Sequence, residues 1–132
     1  VYDDAGLRAL FVGHPLADQL PLVPDRAGAR RDLGIAPDAR VVALLPGSRA
    51  GEVARLGEDF AGTAAWLAAR RPGLTFLAAL AGPRTRAAFE AALARQAPGI
   101  EVRIIEGRTQ AVLTAADAVL VASGTATLET LL

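Results

Sequence analysis

The sequence of 132 residues contains no cysteine, which excludes disulfide scaffolds, thiolate zinc sites and cysteine nucleophiles together. Lysine is also missing, since all fourteen basic residues are arginine. A P-loop lysine, Schiff-base chemistry and Ser-Lys catalysis go with it. A single histidine, His14, leaves any His-rich metal site without ligands. Nowhere do about 18 uncharged apolar residues run together, so no helix here is expected to span a bilayer. Fourteen acidic residues balance the arginines, and a chain with no basic excess is not expected to bind nucleic acid. The start, Val1-Tyr2-Asp3-Asp4, has neither an initiator Met nor a basic-then-apolar leader, and reads as cut from a longer protein.

What is present is apolar. Hydrophobic residues make up 52% of the chain, enough to build a core and far from the composition of disordered segments. The length corresponds to one domain. The excess of Arg and Ala reads as the compositional bias of a GC-rich genome, so individual arginines count only through their positions.

Short apolar runs alternate with longer amphipathic stretches, the pattern of an α/β fold with a parallel, Rossmann-like sheet flanked by helices. Strands are predicted at 41–45, 74–81, 101–105 and 118–122, each ending in turn chemistry: Pro46-Gly47-Ser48, Gly82-Pro83, Gly107 and Ser123-Gly124. Helices are predicted at 51–70, 84–97 and 109–116, with a last one opening near Thr125. In the first of these, Val53, Leu56, Phe60, Ala64 and Leu67 recur at spacings of three and four, which marks a core-facing stripe. Pro72-Gly73 and Pro98-Gly99 supply stops. Residues 1–39 read as the last strand of a preceding domain, a proline-punctuated linker and a short helix at 26–33 capped by Asp25, or alternatively as a decorated N-terminus of one domain. Residues 40–132 are expected to form the Rossmann-like unit, truncated at its C-terminal side.

In open parallel sheets ligands bind beyond the carboxyl ends of the strands. Two loops there stand out. Gly47-Ser48-Arg49 joins a strand to a helix through small residues that let a backbone approach an anion, and Arg49 adds a bidentate cation. On the residues alone a structural turn and a phosphate cradle are equally open. Ser123-Gly124-Thr125 repeats the arrangement: Ser123 or Thr125 can cap the next helix, and Glu129, about one turn in, can accept from the vicinal hydroxyls of a ribose, unless Thr125 and Glu129 only support the helix terminus. Two such turns on one sheet edge favour a ligand bearing a diphosphate. Glu52, Glu58 and Asp59 are expected to decorate an exposed helix face. No acid/base pair is evident, so a general base is missing.

Three blocks, Phe11-Val12-Gly13-His14-Pro15-Leu16-Ala17-Asp18, Leu44-Leu45-Pro46-Gly47-Ser48-Arg49 with Glu52-Val53, and Ala122-Ser123-Gly124-Thr125-Ala126-Thr127-Leu128-Glu129, closely resemble the lipid-A-disaccharide synthases. They occur in that family's order and at about its spacing. The resemblance implies an internal fragment of a GT-B-type inverting glycosyltransferase of Gram-negative lipid A biosynthesis, covering most of its C-terminal domain. It implies the joining of UDP-2,3-diacylglucosamine to 2,3-diacylglucosamine 1-phosphate with release of UDP. Carried over by position, Arg49 stabilises the leaving diphosphate, while Gly47, Ser48, Ser123, Gly124, Thr125 and Glu129 hold the UDP of the donor and His14 lies near the cleft. No metal or cofactor is then required, because fixed donors and a cation face the diphosphate. The general base, the acyl-chain contacts and the dimer segment fall outside the fragment, which is expected to be inactive alone. The full protein is expected to be cytoplasmic, peripheral on the inner membrane and a homodimer. Competing readings are another GT-B-type UDP-sugar enzyme, such as an N-acetylglucosaminyltransferase or UDP-N-acetylglucosamine 2-epimerase, and a non-catalytic nucleotide-binding module. The Gly-His-Pro block speaks against both named enzymes.

Overall fold

Two strands, β1 (Arg40–Leu45) and β2 (Leu74–Leu80), are apolar along nearly their whole length. Such runs belong at the centre of a parallel sheet, where helices cover both faces. That is where the computed structural model places them. It describes Gly6, Arg8, Leu10, Gly13, residues 23–124, Ala126, Thr127 and Thr130. The sheet is parallel throughout, in the order β3-β2-β1-β4, with β3 (Val102–Glu106) and β4 (Ala118–Val121) at its edges. Both edge strands are less buried than the central pair.

Alternation along each strand divides the core in two. Leu44, Phe76, Ala78 and Leu80 face α2 (Ala50–Arg70) and α3 (Pro83–Gln96). Val41, Ala43, Leu45, Leu77 and Ala79 face the opposite layer, built from α1 (Arg26–Asp32) and α4 (Thr109–Ala115). The predicted stripe of α2 does face the sheet, with Val53, Phe60 and Ala64 buried. Gly57 interrupts it for a reason of space: a Cβ there would lie 3.2 Å from Ala92 Cβ, so the glycine lets α2 and α3 approach closely. Between residues 26 and 122 each predicted strand and helix forms, with ends that move by one residue at most; the strand expected before the linker and the helix expected to open near Thr125 lie mostly outside the described residues.

The strand order has a functional consequence. The chain builds outward from β1 to β2 and β3, then crosses back to place β4 on the other side of β1. Loops leaving β1 and β4 therefore turn to opposite faces, and a crevice opens between them at the carboxyl edge. The two singled-out turns are those two loops.

Candidate functional site

At the end of β1 the backbone passes through Pro46 and Gly47 and enters α2 with Arg49 as its N-cap. Gly47 has φ +135°, and a Cβ there would lie 2.8 Å from Glu52 Cβ, so the turn admits glycine and little else. Glu52, at the third helical position, reaches back beneath the turn. Its Oε2 accepts from the backbone N–H of Ser48 at 3.1 Å and of Arg49 at 3.2 Å, and from the Ser48 hydroxyl at 3.5 Å. Its Oε1 lies 3.4 Å from Arg49 Nη1. These N–H groups, Arg49's first and then Ser48's, hold the Glu52 carboxyl below its ordinary pKa, and the Arg49 charge adds to the effect. Glu52 is thus half of a capping box rather than decoration of an exposed face. The N–H groups of Ala50 and Gly51 find no acceptor among the described residues. The Arg49 side chain is 83% exposed.

The loop after β4 sits beside this turn. The Ala122 N–H donates to Leu45 O at 2.9 Å, a last rung that ties the two loops together. Beyond it, Gly124 N–H donates to Thr127 Oγ1 at 3.2 Å and Thr127 N–H donates to Gly124 O at 3.0 Å. The start of α3 uses a similar device, Gly82 N–H donating to Thr85 Oγ1. Ser123 makes no side-chain hydrogen bond among the described residues.

The two turns share a cavity of about 290 Å³, lined among others by Gly47, Ser48, Arg49, Glu52, Ser123 and Gly124, with Ala79 and Ala81 of the β2 end and Thr109 of α4 closing it. Larger hollows lie elsewhere, one of about 590 Å³ among Arg26, Arg30, Pro37 and Asp117. That one opens at the amino ends of β1 and β4, away from the two glycine turns. The smaller cavity combines free helix N–H groups, an exposed cation and small residues, which together suit an anionic group. Among the described residues no group of three His, Cys, Asp or Glu could hold a metal ion.

A family model described as Lipid-A-disaccharide synthetase matches residues 1–132. The chain belongs to the lipid-A-disaccharide synthetase family. Relatives named lipid-A-disaccharide synthase occur in Azoarcus sp. (strain BH72), 56% identical over 98% of this chain and 33% of that protein, and in Pseudomonas syringae pv. syringae (strain B728a), 53% identical over 99% of this chain and 34% of that protein. A third, from Erwinia tasmaniensis, is 46% identical over 99% of the chain and 34% of that protein. The chain spans about a third of the length of these curated relatives.

In this member of the lipid-A-disaccharide synthetase family, five of the residues singled out from sequence, Gly47, Ser48, Arg49, Ser123 and Gly124, line one cavity. His14, Thr125 and Glu129 lie outside the described residues. Two participants escaped the sequence reading. Thr127 betrays itself through Gly-x-x-Thr, the spacing that also opens α3, and Glu52 through its place three residues after the N-cap. No described helix is long and apolar enough to cross a membrane.

Proposed function

We propose that the protein to which this chain belongs joins UDP-2,3-diacylglucosamine to 2,3-diacylglucosamine 1-phosphate, releasing UDP, and that the crevice between β1 and β4 holds the donor's diphosphate. The observation that carries this reading is the coincidence of the family match along the whole chain with an anion-suited cavity at the topological switch point.

In the reaction an acceptor hydroxyl oxygen forms the new bond to the donor's anomeric carbon, and the bond from that carbon to the diphosphate oxygen breaks. Configuration inverts, and negative charge grows on the departing diphosphate. Arg49 and the Ala50 and Gly51 N–H groups meet that charge. Donors fixed in place before the reaction stabilise it without reorganising. Ser123 and Gly124 face the ligand from the second turn; Thr125, Glu129 and His14 complete the assignment, the first two toward diphosphate and ribose. The base that receives the acceptor's proton is assigned, as the family resemblance implies, outside these 132 residues; among the described residues the one carboxylate lining the cavity, Glu52, is committed to its turn. The full protein acts as a homodimer at the cytoplasmic face of the inner membrane, where its lipid substrates reside.

Calorimetry of UDP with the full-length protein tests this. UDP is expected to bind more tightly than GDP or ADP. Arg49→Ala is expected to cost about 1.5 to 3 kcal/mol, roughly ten- to a hundredfold in Kd. Binding that is indifferent to the substitution overturns the role of Arg49.

A further inference from the structure

Glu52 is the one acidic side chain lining the cavity among the described residues. An acid at the mouth of an anion site is a liability, because its charge opposes the ligand's. Its contacts explain why it is there. One oxygen takes the Ser48 and Arg49 N–H groups and the other meets the Arg49 guanidinium. A Cβ at Gly47 would lie 2.8 Å from the Glu52 Cβ, so any side chain at residue 47 separates carboxylate and turn. The donors are therefore shared out: those of Ser48 and Arg49 serve the carboxylate, and those of Ala50 and Gly51 stay open to a ligand.

We infer that Glu52 is a positioning residue of the diphosphate site, tying down the Gly47-Ser48-Arg49 turn and steering the guanidinium of Arg49 toward the leaving group. This rests on the nucleotide reading of the cavity given above. Apart from Glu52, no described group bonds the Arg49 side chain. Without the carboxylate two turn N–H groups lose their acceptor and the guanidinium samples many orientations. The loss falls where charge is greatest, in the transition state, so turnover suffers more than donor binding.

The test is a double-mutant cycle in the full-length protein, with kcat and KM for the UDP-linked donor measured for wild type, Glu52→Gln, Arg49→Ala and the pair. Glu52→Gln is expected to lower kcat about ten- to a hundredfold, as for loss of a charge-assisted contact, with KM within about threefold. In the Arg49→Ala background the same change is expected to cost less than about threefold, because its effect runs through that arginine. A Glu52→Gln enzyme with wild-type kcat, or losses that simply multiply in the pair, overturns the inference. If Glu52→Gln does not fold, Glu52→Asp replaces it: the shorter arm cannot span both N–H groups, and a wild-type kcat there overturns the inference equally. Failure of the nucleotide reading looks different, as UDP then fails to bind wild-type protein or binds Arg49→Ala unchanged.

Discussion

Gly47 shows how one missing side chain shapes a site. Its φ of +135° and the 2.8 Å that a Cβ would leave to Glu52 Cβ make two separate demands for glycine. Gly47→Ala is expected to destabilise the turn by about 1 to 3 kcal/mol and to weaken UDP binding while the sheet stays folded. Melting temperature and UDP titration, measured side by side on the full-length protein, check both. The motif Gly47-Ser48-Arg49 was legible in the sequence because small residues and a cation at a strand end advertise an anion site. The role of Glu52 was only hinted at by its place three residues after the N-cap, because an acid in the first turn of a helix looks the same whether it faces water or folds back beneath its own N-cap. Its shortest contacts are to two backbone groups, which sequence does not distinguish from any others. Arg30 carries a similar lesson, for it is 6% exposed and cannot be dismissed with the compositional background.

Arg30 anchors an element. Helix α1 is held against the amino end of the sheet by polar contacts as well as by Leu33 and Ile35. Arg30 Nε donates to Ala115 O at 3.0 Å and Nη2 to Asp117 Oδ2 at 2.9 Å. Arg26 pairs with the other oxygen of Asp117. Asp117 also accepts from the Val41 N–H at 2.7 Å and returns its own N–H to Val41 O. One carboxylate thus joins α1, β1 and the start of β4. The Val41 N–H, then Arg26 and Arg30, lower its pKa against an opposing desolvation. A carboxyl depressed on folding adds stability that is complete above the unfolded value near pH 4 and is lost as pH falls through the folded value. Asp117→Asn is therefore expected to cost about 1 kcal/mol at neutral pH, since the partly exposed carboxylate is screened by solvent, and to flatten the decline in stability below about pH 4. Urea denaturation across that pH range reads both. The helix itself was legible from Asp25, whose side chain accepts from the Gly28 N–H at 2.8 Å. Its anchor was not, since Arg30 and Asp117 are 87 residues apart.

At the scale of the whole molecule, two apolar layers either side of β1 and β2 carry the stability. Phe89 is fully buried between α3 and the sheet, in contact range of Gly57 on α2. Phe89→Ala is expected to cost about 3 to 5 kcal/mol, since the packed neighbours collapse only partly into the space left behind. Thermal and chemical denaturation of the full-length protein should both show it. Neutral charge also takes on detail at this scale: Arg95 meets Glu58 at 2.7 Å across α2 and α3, and Arg86 bridges Glu90 and Glu106, so arginines and acids are matched locally as well as in number. The sequence by itself determined the elements and their class, because the period of its apolar residues and its glycine and proline stops are local properties of the chain. It also determined the family, because three motif blocks in order are a property of the chain alone. Only the tertiary structure decided that β4 lies beside β1, which sets Ser123 and Gly124 against Gly47, Ser48 and Arg49 in one cavity. It alone decided which N–H groups Glu52 takes and which stay open. Strand order and donor pairing depend on contacts between residues far apart along the chain, and no local pattern encodes those.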